Sequence, residues 1–464
     1  TTLDLSYEYA DHERFIDRGI PTENGEPVKR FEKITFGDKD VNLTTLEASI
    51  FRATLSTEFS DTSKGNLSII SSEFEKMYKN YYVSGYNAGD TVVTMDGYLD
   101  PTKRENTVIA GNLVNEIQIG TSTHTLLFGG EIIDTSNDNH RYDTFWSTTS
   151  DDNEIFNITR PMNFLENSSG SGASNDFTVK LSSKTKSDIE VSSIYFQDQI
   201  DVSDRLKLMI GGRHDTFDIT VADIKSGTSQ SREDKEFSPR AGIIFKPSEN
   251  VSWYYSYSES FLPRSGEQYK KLTASASALD PDLYQSREFG VKIAISKNLS
   301  FTAAYFDSEQ TIATRDTSGE GAEIIGLQVD GLEIELKGKV NDKMNIVIGF
   351  SSMDGKTSSG GEPREIPEHT LSLFATYKVS EKFEWAFGIT QQGESNISNN
   401  KPELILPEYT RVDFGAYYKI AEGLSIQMNI ENLTDELYFP HSHSTHQASV
   451  GEPFNARISI RKTF

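Results

Sequence analysis

The chain has 464 residues, 36% of them hydrophobic, no cysteine and a formal net charge of −25. No stretch reaches the roughly 18 apolar residues that a helical membrane span needs, and without cysteine there is no disulfide framework. The acidic balance argues against a nucleic-acid partner, whose phosphates call for a basic surface.

Period-two alternation predicts strands along the whole chain. Thr2–Ala10 comes first, then a polar loop from Asp11 to about Thr44. Leu46–Phe59 turns at Ser60–Gly65 into Asn66–Tyr82, and a loop to about Glu105 leads to Asn106–Ile119. The turn Gly120–Thr123 gives His124–Asp134, followed by the longest insertion, Thr135 to about Lys186, rich in Ser, Asn, Asp and Gly. Predicted strands Asp188–Val202 and Leu206–Ala222 flank Ser203–Arg205; Phe237–Pro247 and Val251–Phe261 flank Ser248–Asn250. After a loop to about Leu283 come Tyr284–Ile295, Leu299–Arg315, Leu327–Val340, Met344–Asp354, Thr370–Val379, Phe383–Gln392 and Leu406–Ile420.

The last forty or so residues show the pattern most plainly. Leu424, Ile426, Met428 and Ile430 alternate with Ser425, Gln427, Asn429 and Glu431; Ala456, Ile458 and Ile460 alternate with Asn455, Arg457, Ser459 and Arg461, and Phe464 is last. One such strand also suits a soluble sandwich. Recurring along the chain, with short and long connections in turn, the pattern predicts an all-β fold: a transmembrane antiparallel β-barrel with about 18 strands in residues 1–464. No blade repeat of a propeller is present. Met428, Ile458 and Ile460 are expected to face lipid, and the 20 Tyr and 27 Phe to supply aromatic girdles. Tyr195-Phe196 and Trp253-Tyr254-Tyr255 suit a rim with one ring outside and its neighbour inside; a strand buried on both faces is the alternative. The turns Ser203–Arg205 and Ser248–Asn250 belong at one end, and the loops around Lys29, Trp146 and Lys270 at the other. A cysteine at Ser248 is then shielded on intact cells and one at Ser265 exposed.

Several segments in order resemble the barrel of TonB-dependent ferric-siderophore receptors of the outer membrane. They are Ile194–Gln199, Gly211–Asp215, Phe237–Gly242, Tyr255–Glu267, Gly331–Leu336, Asn432–Asp435 and the ending from Gly451 to Phe464. Asp17–Pro21, Phe36–Asp38 and the Ser-Phe-Leu-Pro-Arg-Ser-Gly stretch from Ser260 are similar to the catecholate-siderophore subgroup. The resemblance implies a Gram-negative outer-membrane location and a barrel of about 22 strands. It also implies an N-terminal plug that engages the TonB energy-coupling protein. The match begins at what looks like the fifth barrel strand, and the chain starts Thr1-Thr2 with no leader. The expectation is therefore a C-terminal portion lacking plug and first strands, with Thr1–Ala10 and Phe454–Phe464 not hydrogen-bonded to each other. A complete 18-stranded passive porin for small solutes, or a loop-mediated surface interaction protein, remains open.

No catalytic constellation is present: there is no Cys nucleophile and no nucleophile elbow, so an enzyme is not expected. His441, His443 and His446 form the one metal-like cluster, with no fourth ligand evident. In a siderophore the iron is already wrapped in oxygen donors, so neither a protein-bound metal nor another cofactor is expected. The protein should instead offer cations to the anionic complex and rings to its catechol faces. One loop offers Arg18, Lys29, Arg30, Phe31 and Phe36; another offers Phe261, Arg264, Tyr269, Lys270 and Lys271. The long insertion offers His140, Arg141, Tyr142, Phe145, Trp146 and Arg160, and the last loop Tyr438, Phe439 and His441. The plainer reading is surface decoration, or contacts to lipid and lipopolysaccharide phosphates. Arg264, where a strand leaves the barrel, is the preferred single residue.

Overall fold

The computed structural model describes residues 1–89, 91–264, 269–315, 321–399 and 401–463; Ser265, Gly266, Glu267 and Phe464 lie outside them. Long strands follow one another as β1 (Thr2–Phe15), β2 (Leu43–Ser60), β3 (Ser63–Asn87), β4 (Val92–Ile119), β5 (Ser122–Asp143) and β6 (Lys180–Ser203). Next come β7 (Leu206–Asp223), β8 (Thr228–Ser248), β9 (Val251–Leu262), β10 (Asp282–Ser296), β11 (Leu299–Arg315) and β12 (Gly321–Asn341). β13 (Met344–Thr357), β14 (His369–Lys378), β15 (Phe383–Gln392), β16 (Tyr409–Ala421), β17 (Leu424–Glu431) and β18 (Asn455–Lys462) complete the series. Each pairs antiparallel with the next. With the four-residue piece Glu154–Asn157 laid on β4, they make one 19-stranded sheet.

The two faces separate as the alternation predicts. Ile458 and Ile460 are 67% and 71% exposed, and their register partners across the ladder are Met428 and Ile426. Leu67, Ile69, Ile109, Leu113, Ile132, Ile194 and Ile210 are exposed on the same side. The opposite face carries ion pairs such as Arg213 with Glu131, at 2.6 Å, and with Asp215, at 2.8 Å. Only lipid makes the first face favourable and only water the second. Adjacent rings divide accordingly. Phe196, Trp253 and Tyr255 are exposed outside, whereas Tyr195 donates to Asn112 at 2.7 Å and Tyr254 hydrogen-bonds Glu288 inside. The strand buried on both faces is not what forms.

Several expected loops are strands. The predicted loop before Glu105 is the top of a hairpin in which β3 runs 25 residues and β4 runs 28. At about 3.3 Å per residue β4 is roughly 90 Å long, whereas crossing a bilayer takes about 9–11 residues. β5, β6 and β8 likewise extend through segments expected to be loops. Above the hydrocarbon both faces of a strand meet water, so Thr228–Lys235 and Asp100–Glu105 carry no apolar alternation. Pro101, which has no N–H to donate, falls where the β4–β5 ladder skips a pair.

The sheet is rolled. Laid flat, its first and last strands would stand roughly 80 Å apart at about 4.8 Å per strand, yet the loops beside them touch. Ile20 N–H donates to the Ala448 carbonyl at 2.8 Å and Ala448 N–H returns to Ile20 at 3.0 Å. Gly19, at φ +89°, permits this approach, because a Cβ there would run into the Ala448 carbonyl. Among the described residues no ladder joins β1 to β18. On the long-loop side a buried cluster fastens the seam, uniting Ile20, Val28, Phe31 and Phe36 with Phe439 and Ala448, and with Ile397 and Leu406 from the loop before β16. Short turns share one end and long connections the other. A cysteine at Ser248 should resist a membrane-impermeant maleimide on intact cells while one at Ser226, in the turn 224–227, reacts; the opposite pattern would invert the orientation.

Candidate ligand-binding site

The site grows from the inward faces of β3 and β4. Tyr78 and Tyr82 are four apart on β3 and so share a face, and Tyr98 of β4 lies opposite Asn80 between them. Tyr78 and Tyr98 stack at 5.8 Å and 19°, while Tyr82 meets Tyr98 edge-on at 6.0 Å and donates to Asp96 at 2.7 Å. The loop after β1 lays Arg18 against this wall. Its guanidinium carbon stands 5.9, 5.6 and 6.0 Å from the centroids of Tyr78, Tyr82 and Tyr98. Nη1 donates to the hydroxyls of Tyr78 and Tyr98 at 3.0 and 3.1 Å. Nε and Nη2 donate to Gln447 Oε1, in the last loop, at 3.0 and 2.7 Å. From β5, Arg141 places its guanidinium 3.7 Å from the Tyr98 centroid, with Asp143 3.7 Å away.

Many cations of the inner wall are paired with carboxylates. Arg213, Arg232, Arg264 and Arg411 each hold a carboxylate at 2.5 to 2.8 Å, and Lys270 holds Asp100 at 3.1 Å. Among the described residues no carboxylate pairs with Arg18; its partners are neutral. The half-buried guanidinium of Arg18 thus lies over three rings, and its hydrogen-bond partners among the described residues are all neutral.

The structure brings Arg18 and Arg141 together and sends the other expected residues elsewhere. Phe31, Phe36, Trp146, Tyr438 and Phe439 are buried. Phe31 packs edge-on to Phe36 and Tyr86, Trp146 lies against Tyr81 and Phe156, and Tyr438 lies on Tyr409 at 4.6 Å. A loop carrying that many rings lowers its free energy by burying them against each other, so they build the loop core rather than an open surface. Arg30 is exposed, pairing with Glu23 at 3.1 Å and lying over Phe31. Tyr142 pairs with Leu99 across the ladder and so faces away from its neighbour Arg141. Phe261 and Tyr269 pack on a second cluster inside the mouth, around Phe217 and Leu272, with Arg104 over Tyr269 at 5.4 Å.

Arg264, the residue preferred from sequence, is held by Asp282 at 2.8 Å and by the Asp280 carbonyl. It fastens the root of its loop instead of standing open. His441 is exposed with Nδ1 3.3 Å from Ser449 Oγ, and His446 Nδ1 accepts from the Thr22 amide at 3.3 Å, so the histidines are engaged separately. Sequence reasoning missed Tyr78, Tyr82, Tyr98 and Gln447. The spacing of Tyr78 and Tyr82 on a polar strand face was the available signal, whereas Tyr98 fell in an expected loop.

The family model described as TonB dependent receptor-like, beta-barrel, matches residues 1–433. The chain belongs to that family. Its similarity to the probable TonB-dependent siderophore receptor PiuA of Acinetobacter baumannii is 28% identity over 302 residues, 59% of this chain and 40% of that protein. To the metal-pseudopaline receptor CntO of Pseudomonas aeruginosa it is 23% over 495 residues, 99% of this chain and 65% of that one. The crystal structure of PiuA superposes with a TM-score of 0.86 at 22% identity, covering 99% of this chain and 71% of PiuA. The ferric-catecholate import receptor Fiu of Escherichia coli K12, in its closed form, gives 0.82 at 16% identity, covering 99% and 71%. The chain thus spans about 40 to 65% of the length of these two curated relatives. Relatives of this family are receptors and transporters of the Gram-negative outer membrane, not enzymes, and this chain is an outer-membrane β-barrel.

In this TonB-dependent receptor barrel, the clasp beside Arg18 includes His446, whose Nδ1 accepts from the Thr22 amide. Burial, with Lys401 adding to it, holds His446 below its ordinary value of 6.5. The docked loop therefore refuses a proton that the undocked loop accepts. Docking is complete above about pH 6.5 and weakens as pH falls through the lowered value. Limited proteolysis should cut the loop 441–450 faster at pH 5 than at pH 7.5; His446→Gln should reduce the difference, and His443→Gln added to it should flatten it, because burial also holds His443 below its ordinary value.

Proposed function

We propose that this chain is the barrel of a receptor that captures a ferric siderophore of catecholate type outside the cell and passes it inward. The observation carrying the reading is Arg18, a cation with no carboxylate partner among the described residues, set against Tyr78, Tyr82 and Tyr98 beside Arg141. A ferric catecholate is anionic and presents flat aromatic faces, so it supplies both the missing counter-charge and ring contacts. Iron arrives inside the ligand, and no protein-bound cofactor is called for. In this reading the energy comes from TonB through a plug and strands outside these 464 residues. The outward aromatic rows face lipid and lipopolysaccharide. Relatives named for siderophore, metal-pseudopaline and ferric-catecholate uptake support the class. A passive porin is disfavoured because no ladder joins β1 to β18 among the described residues.

Binding of a ferric tris-catecholate to the full receptor in outer-membrane vesicles, followed by quenching of tryptophan fluorescence, tests the reading. Arg18→Ala should weaken binding at least about tenfold, as loss of one charge-assisted contact does. Arg141→Ala should weaken it in the same direction. Arg264→Ala, by contrast, should change affinity by less than about threefold and loosen residues 269–281 toward protease. Unchanged affinity in both Arg18→Ala and Arg141→Ala would remove the physical basis of the assignment.

A further inference from the structure

We infer that Gln447 sets the charge preference of the mouth by holding the Arg18 guanidinium with a neutral amide, leaving its positive charge free for an anionic ligand. The inference rests on the mouth site proposed above and adds the residue that gives the site its sign. Gln447 is 5% exposed, and one oxygen receives both Nε and Nη2 of Arg18, at 3.0 and 2.7 Å. The single amide oxygen takes the two donors that a carboxylate would take with its two oxygens. Glutamate at this position would reach the same two donors with the same chain length. The chain uses carboxylates for this task at Arg213, Arg232, Arg264 and Arg411. In a protein with 70 Asp and Glu residues, the amide at position 447 separates a receptor for anions from one more internal salt bridge.

The position suits such a role because the loop does not depend on it for docking. The clasp is made independently by the Ile20–Ala448 backbone pair and by Thr22 Oγ1 donating to the Thr445 carbonyl at 2.6 Å. Inside its own loop, Gln447 is fixed by its backbone, whose N–H donates to Ser444 and whose carbonyl accepts from His443. The side chain touches no ligand and acts through Arg18, by the charge it does or does not set beside the guanidinium. A carboxylate there would be buried but paired, so the fold tolerates it while the net charge presented to the mouth falls by one.

The test compares Gln447→Glu, Gln447→Met and Arg18→Ala in the full receptor, with ferric tris-catecholate as the anionic probe and a neutral ferric trihydroxamate as reference. Gln447→Glu should lose at least about tenfold in affinity for the anionic probe and keep its affinity for the neutral one. Gln447→Met, of similar length and uncharged, should hold the anionic probe within about threefold of the parent. Equal losses in the Glu and Met variants would make Gln447 a packing residue and overturn the inference. So would an unchanged Gln447→Glu alongside a weakened Arg18→Ala. If Arg18→Ala itself binds normally, the mouth site fails and the inference falls with it.

Discussion

A peptide group in hydrocarbon must find its hydrogen-bond partner within the protein, because no water is there to take its place and each unpaired group costs several kcal/mol. This requirement makes every membrane-crossing segment a strand flanked by strands. It also sets the order of the sheet, since only the next segment in sequence is near enough to pair through a short turn. β1 and β18 are where the rule is under most tension, since among the described residues each has a ladder on one side and none to the other. At the long-loop end the seam is instead spanned by a two-hydrogen-bond backbone pair and a shared apolar cluster. The site lies against that fastening: Arg18 comes from one side of the seam, Gln447 from the other, and the tyrosines from the wall between.

Inside the barrel the same logic governs charge. A half-buried cation is stabilised by a carboxylate, and most wall cations described above have one. At Arg18 an amide oxygen stands in place of a carboxylate. The aromatic wall does not neutralise Arg18. Ring faces attract a cation without removing its net charge, so the tyrosines orient the guanidinium and leave its field intact.

The strands were legible where lipid is present. Leu424–Glu431, Leu299–Arg315 and Phe383–Gln392 have the bounds that their alternation predicts, because one face must be apolar and the other wet. They were illegible above the membrane, where water on both faces erases the signal; the hairpin of Asn87 and Val92 and the start of β8 read as loops for that reason. The site was half legible. Arg18 and Arg141 could be named as cations in loops, but rings in the same loops were read as ligand surface when most of them bury one another. A basic residue at a rim looks the same in sequence whether or not an aspartate waits for it, and Asp282 is seen to be the partner of Arg264 only once the strands are placed.

The height of the β3–β5 wall has an electrostatic consequence. Ile69 and Ile109 still face lipid, while Tyr78 and Tyr98 lie about ten residues further along their strands, some 30 Å at about 3.3 Å per residue. Even after the tilt of the strands is allowed for, several screening lengths of about 8 Å separate the mouth from the bilayer surface and its phosphates. Charges on the lipid-level wall and on the turns below are damped over that distance, whereas the guanidiniums of Arg18 and Arg141 act at contact range. The field at the mouth is therefore set by the groups of the mouth, and the acidity of the lower barrel reaches it only as a screened remainder.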